Sequence, residues 1–150
     1  FFKNYYLAKG FYNNKKVILI KPLTYMNRSG LILESIPDKY IQPEYPIVVI
    51  CDNMDLATGE CRIKTKGSGS SHNGISSIIQ SYGSEDFTRI YVGISRPDKR
   101  ESIISYVLGR PVEDDFIRFE NGIKRACSAA LSLLTNNIQR VMSEYNRKQN

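Results

Sequence analysis

The run Ile47-Val-Val-Ile-Cys51, entered through Pro46 and left through Asp52, constrains this chain most. A continuous apolar stretch rich in β-branched side chains suits a strand buried on both faces, inside a sheet that helices cover on each side. The flanking sequence alternates in kind. Residues 5–10 and 15–20 are β-prone and are joined through Asn13 and Asn14, which predicts a hairpin. Lys21-Pro22 ends its second strand, because proline cannot donate to a ladder. Residues 29–34 have helical composition, and Pro37 stops them. Residues 61–65 alternate, with Arg62 and Lys64 on one face and Cys61, Ile63 and Thr65 on the other. A Gly/Ser loop, 66–71, leads into a helix at about 73–82, and residues 89–94 form another strand. Residues 102–108 read as a short helix closed by Gly109. Residues 112–134 carry Phe116, Phe119, Ile123, Cys127, Ala130 and Leu134 at a helical period. Residues 135–145 either continue that helix after a kink or form a separate last one. Strands alternating with helices imply an α/β fold in one domain of 150 residues. The hairpin makes the expected sheet mixed and twisted, flanked by helices, rather than purely parallel.

No apolar run is long enough to span a bilayer, and no signal-peptide pattern opens the chain. The three cysteines, Cys51, Cys61 and Cys127, lack CxxC spacing, and one histidine cannot complete a conventional zinc site with them. No metal is expected. The thiols read as reduced, each a small buried hydrophobe in a cytoplasmic protein. A formal charge of +6 favours a polyanionic partner without establishing one.

Four places offer chemistry, each with a plainer alternative. Thr24-Tyr25-Met26-Asn27 lies between a strand and a helix, where ligands gather in open α/β sheets. Asn27 supplies a donor and an acceptor, and Tyr25 and Met26 supply a face for a ribose or base; otherwise Asn27 or Ser29 simply caps a helix. Asp52 at the end of its strand is placed to hold a histidine in one tautomer; otherwise Asp52-Asn53-Met54-Asp55 is a turn. The Gly/Ser loop before His72 and Asn73 exposes N–H groups at a helix start, which favours anions; otherwise His72 or Asn73 caps that helix. Lastly, Arg62, Lys64, Lys66, Arg96, Lys99, Arg100 and Arg110 could follow a phosphate backbone if they share a face; otherwise they are scattered and solvated. Ser70, Ser71 and Asp52 accompany His72, but no G-x-S-x-G elbow surrounds either serine, so a serine hydrolase is disfavoured.

Together these segments resemble the bacterial peptidyl-tRNA hydrolases from about Tyr5 to the C-terminus. The matching stretches are Lys21-Pro-Leu-Thr-Tyr-Met-Asn-Arg-Ser-Gly30, Asp52-Asn-Met-Asp-Leu56, Ser71-His-Asn-Gly-Ile75, Thr88-Arg-Ile-Tyr-Val-Gly-Ile-Ser-Arg-Pro97 and Ser105-Tyr-Val-Leu-Gly109. The resemblance implies hydrolysis of the ester between a peptide and the terminal ribose of tRNA, which recycles tRNA from aborted translation. It implies no cofactor and a monomer in the cytoplasm, whose partner is peptidyl-tRNA met at its acceptor stem, terminal ribose and nascent peptide. The family's general base is a histidine in a helix near the N-terminus, expected before Phe1; His72 matches a different histidine, in the His-Asn-Gly motif. By position, Asp52 matches the carboxylate that keeps that base effective. Asn27 and Asn73 match amides that hold substrate and water, and Tyr25 matches a contact to the tRNA end. Arg62 and Lys64 would meet acceptor-stem phosphates. These roles require Asn27, Asp52 and Asn73 to converge on one cleft.

Some positions depart from the family pattern. Cys51 and Asn53 stand where an aromatic or histidine and an acid are usual, and Lys66, Ser70 and Ser71 replace glycines. Two further readings stand beside the esterase: a non-catalytic RNA-binding module, and a small-molecule hydrolase using His72.

Overall fold

The structure, a computed structural model, describes residues 4–42, 44–69, 72–97 and 102–147. They form two compact units, one of Phe1–Ile47 with Thr65–Thr88 and one of Val48–Lys64 with Arg89–Asn150. Ser70, Ser71, Lys99 and Arg100, singled out in the sequence, lie outside the described residues.

In the first unit, β1 (Tyr5–Tyr12) and β2 (Lys15–Pro22) pair antiparallel, from Tyr5 opposite Pro22 to Tyr12 opposite Lys15. The expected hairpin is present, each strand extended by two residues. Asn13 and Asn14 turn it with φ of 44° and 61°. Two successive left-handed residues are what a tight two-residue hairpin turn needs, and asparagine tolerates that region better than other non-glycines. One face of the hairpin buries Tyr5 and packs Leu7 and Ile20 against Ile32, Ile36, Leu33 and Ile41. The Tyr5 hydroxyl donates to the Ser35 carbonyl at 3.2 Å, which satisfies its polar end.

The helix expected over 29–34 begins earlier and in a tighter form. A 3₁₀ helix, Met26–Leu31, runs into α1 (Ile32–Ser35) and ends before Pro37. The Ser29 hydroxyl donates back to the Met26 carbonyl at 2.9 Å and ties the first turn. α2 (Asn73–Tyr82) has the expected bounds and ends on Gly83, whose φ of 75° lies in the left-handed region that favours glycine. Gly30 lies flush on α2: its N–H donates to Ser77 Oγ at 3.0 Å, and a Cβ there would sit 2.0 Å from the Ser77 carbonyl oxygen.

The second unit holds a three-stranded sheet in the order β3 (Val48–Asn53), β5 (Thr88–Gly93), β4 (Cys61–Lys64). β4 runs antiparallel to β5, pairing Cys61 with Val92 and Lys64 with Arg89. The bonds from Thr88 N–H to the Ile47 carbonyl and from Ile94 N–H to the Asn53 carbonyl advance in the same direction, so β3 and β5 are parallel. The sheet is mixed, as expected, but β4 makes it so. The hairpin forms a sheet of its own among the described residues.

Two expectations need correction. β3 is not buried on both faces: Val48 and Ile50 are 38 and 49% exposed. Among the described residues it is an outer strand, and the doubly covered position belongs to β5, buried from Arg89 to Gly93. The apolar face expected for α4 (Glu113–Leu133) is also displaced. Phe116, Ile123 and Cys127 are exposed, while Gly122, Ala126 and Ala129 are buried. Small residues win that face because they let the helix approach closely. A Cβ on Gly122 would lie 2.7 Å from Gly59 Cα, and Gly59 itself has a φ of 84°. Ala126 and Ala129 then join Cys61, Ile63, Ile90, Val92 and Val141 in one core, with Phe119, Ala130 and Leu133 packed against it. At about 1.5–3 kcal/mol for each large side chain buried, this cluster is the unit's main source of stability.

α3 (Ile103–Leu108) matches its predicted place, and the Tyr106 hydroxyl donates to the Ile94 carbonyl just past β5. α5 (Ile138–Tyr145) is a separate last helix: Asn137 starts it afresh, its Oδ1 accepting from Arg140 N–H at 2.9 Å. No helix of the described residues is long and apolar enough to cross a membrane.

Candidate functional site

Asn27 and Asn73, distant in sequence, sit on elements that touch. Asn27 follows Met26 in the 3₁₀ helix, and Asn73 precedes Gly74 at the start of α2. A Cβ on Gly74 would lie 2.5 Å from Met26 Sδ, so glycine is what allows the thioether to press on the helix start. Both asparagines are exposed, as is Tyr25 at 82%. The first unit thus gathers an amide pair, a thioether and a phenol along one junction. Neither Asn27 nor Ser29 caps the turn, which has no side-chain cap bond.

His72 does cap its helix. Its Nδ1 accepts from Gly74 N–H at 3.1 Å and Ile75 N–H at 3.2 Å. A neutral imidazole that accepts at Nδ1 carries its proton on Nε2, leaving no lone pair there for a proton. The plainer reading of His72 holds, and a small-molecule hydrolase with His72 as base loses its geometry.

In the second unit Asp52 lies half-buried near the C-terminal end of β3. The following turn is made by Asn53, whose Oδ1 accepts Asp55 N–H at 2.7 Å. Burial, reinforced by the Asp52 charge, pushes the Cys51 thiol up to about 12, and Arg89 offsets part of this. The expected burial of the thiols holds fully for Cys61, partly for Cys51, and not for Cys127, which is exposed because α4 turns its small residues inward. Among the described residues no three His, Cys, Asp or Glu side chains gather as a metal-binding group.

Of the basic set, Arg62 and Lys64 share a face of β4, with Cys61 and Ile63 buried on the other. Arg62 pairs with Glu60 at 2.9 Å, and Lys64 lies 6.0 Å from the Tyr91 ring centre. Arg96 donates through Nε to Asp55 at 3.0 Å, and Arg110 is exposed. Lys66 belongs to the first unit. Sequence reasoning misses Arg89 and Tyr91, which oppose Lys64 and Arg62 across the ladder and share their face. A signal for them is present in Arg89-Ile90-Tyr91-Val92, polar and apolar by turns.

The described residues form an α/β protein whose first unit exposes two amides where the 3₁₀ helix meets the start of α2, and whose second unit carries a strand-end carboxylate and two cations on one strand face. The chain belongs to the peptidyl-tRNA hydrolase family, whose sequence profile matches residues 2–150. Peptidyl-tRNA hydrolase of Bacillus subtilis is 41% identical over 139 residues, 93% of this chain and 74% of that protein. The enzyme of Clostridium tetani is 41% identical over 134 residues, 89% of this chain and 70% of that protein. The crystal structure of peptidyl-tRNA hydrolase from Acinetobacter baumannii superposes with a TM-score of 0.86 at 28% identity, covering 97% of this chain and 74% of that one.

Proposed function

We propose that this protein hydrolyses the ester joining a peptide to the terminal ribose of tRNA. Family membership supports the reaction class, and the Met26–Gly74 contact, which seats Asn27 and Asn73 on adjoining turns, is the structural observation that carries the reading. In this reading a water attacks the ester carbonyl, the acyl–oxygen bond breaks, and the products are a peptide carboxylate and a free ribose hydroxyl. Charge builds on the carbonyl oxygen in the transition state, and amide N–H donors such as those of Asn27 and Asn73 stabilise it there. Their mixed donor and acceptor character also suits peptide backbone, which makes recognition indifferent to peptide sequence. Asp52 has the role of orienting an imidazole base and stabilising its charged form. His72 is not that imidazole, since its ring is committed to its cap. Arg62 and Lys64 meet stem phosphates, a recognition by shape that the RNA duplex favours. Tyr25 and Met26 face the terminal ribose or base, and the work is done by a monomer in the cytoplasm.

The test is hydrolysis of peptidyl-tRNA by the full-length enzyme carrying Asn73→Ala or Asp52→Ala. Each change should lower turnover by well over tenfold with the fold intact, since a general base or an oxyanion donor contributes about 10²–10³-fold or more. Near-normal rates in both variants would remove these roles. Binding of tRNA without hydrolysis would leave a non-catalytic RNA-binding module.

A further inference from the structure

Away from Asn27 and Asn73 in the chain, the first unit crowds three cations around a single phenol. The Tyr40 ring, held against the hairpin core, has the ammonium groups of Lys9, Lys39 and Lys16 at 4.5, 5.3 and 5.9 Å from its centre. Lys9 also donates a hydrogen bond to the Tyr40 hydroxyl. That bond and the surrounding cations pull the Tyr40 phenol below its ordinary range. None of the three lysines makes an ion pair among the described residues. The hairpin from Tyr5 to Pro22 holds Lys9, Lys15, Lys16 and Lys21 and no Asp or Glu. Three like charges crowded on one neutral ring repel one another, and a bound anion relieves that repulsion.

The strand register sharpens this. Period-two alternation puts Lys9 and Phe11 of β1 on the same face, opposite Ile18 and Lys16 of β2, while Lys15 and Lys21 fall on the other face. Phe11 is 79% exposed beside Lys16. An exposed ring flanked by cations is the arrangement that grips single-stranded nucleic acid, bases stacking on the ring while ammoniums follow the phosphates.

We propose that Lys9, Lys16 and Lys39, with Phe11 beside them, form an RNA-binding surface that contacts tRNA in addition to the Arg62 and Lys64 face of β4. The partner rests on the proposed substrate; the surface is a separate contact. Its function is affinity rather than chemistry, since nothing in it is placed to transfer a proton to an ester.

Binding of deacylated tRNA by the whole chain, measured across a range of salt, tests it. Lys9→Gln with Lys16→Gln should reduce the log–log salt slope by nearly two units, about one for each phosphate left without its ammonium. Lys15→Gln with Lys21→Gln removes the same charge from the opposite face and should leave the slope within half a unit. Phe11→Ala should weaken binding about tenfold with the slope unchanged, as expected when one base no longer stacks. Equal losses from the two lysine pairs, or no loss from either, overturns the surface while leaving the substrate assignment standing. Failure of the unaltered chain to bind tRNA overturns both. Loss of binding to phosphatidylglycerol vesicles, with tRNA binding untouched, would reassign the face to membrane and overturn the proposal.

Discussion

The carboxamide of Asn146 makes both hydrogen bonds of the Ile63 peptide groups, Oδ1 accepting from Ile63 N–H at 2.6 Å and Nδ2 donating to the Ile63 carbonyl at 3.0 Å. Among the described residues β4 is an outer strand with no further strand beside Ile63, whose side chain is 1% exposed. A side chain from the end of α5 stands in for the missing neighbour. Asn146→Ala strands a donor and an acceptor in a half-buried place and should cost about 2–6 kcal/mol at about 1–3 kcal/mol for each group. Asn146→Asp, which keeps the acceptor alone, should fall between. Urea unfolding measures both; a loss below about 0.5 kcal/mol for alanine would mean that water takes over the bonds.

Gly30 and Ser77 set the spacing between the 3₁₀ helix and α2. Gly30→Ala brings its methyl to 2.0 Å from a backbone oxygen that has no rotamer to escape into. The two elements must part, at a cost of at least about 1–3 kcal/mol as for other overpacked sites. Because Asn27 and Asn73 ride on those elements, peptidyl-tRNA turnover should fall more steeply than melting temperature. A variant with a lowered melting temperature and a full rate would separate the contact from function.

His72→Ala should cost about 1 kcal/mol, the usual worth of an N-cap. Asn at the same position should restore the stability. Turnover of His72→Asn should stay far above the level left by loss of a general base, which is about 10²–10⁴-fold down. A loss of that size would put the ring back into the chemistry.

The thiols should separate by reactivity. Iodoacetamide at neutral pH should modify Cys127, which is exposed, and spare Cys51 and Cys61, whose thiols burial pushes up. The same shift predicts alkaline sensitivity. Below about pH 8.5 the Cys51 thiol is protonated folded or unfolded, and its stabilising effect is complete. Above that the unfolded chain sheds the proton while the folded one holds it to about 12. Stability should therefore fall by up to about 1.4 kcal/mol for each pH unit across that interval. Cys51→Ala should be flatter than the parent by that slope; parallel curves would refute the shift.

The elements that announce themselves locally were legible in the sequence. Alternation and two asparagines specify the hairpin, and the His-Asn-Gly start and Gly83 bracket α2. What escaped depends on partners that are not local. Ile47-Val-Val-Ile-Cys51 is apolar on both sides, yet Val48 and Ile50 are exposed, because among the described residues that face of the strand is left uncovered, and composition does not record what packs on a face. α4 carries one face of large residues and one of small ones, and hydrophobicity favours the first. Close approach at Gly122 selects the second. The candidate site divides likewise: its residue types and motifs could be read in order, but the contact that seats Met26 of the 3₁₀ helix against Gly74 at the start of α2 is a missing Cβ, which no pattern of polarity records.

The meeting of Gly59 and Gly122 has a further effect. Where two backbones touch without side chains, a helix has one axial seat. Sliding α4 by a residue would drive Asn121 or Ile123 into the turn at Gly59. α5 follows after a short connection, so that seat also sets where its last turn delivers the carboxamide that closes the border of the sheet. A pair of hydrogen atoms thereby phases both α4 and α5.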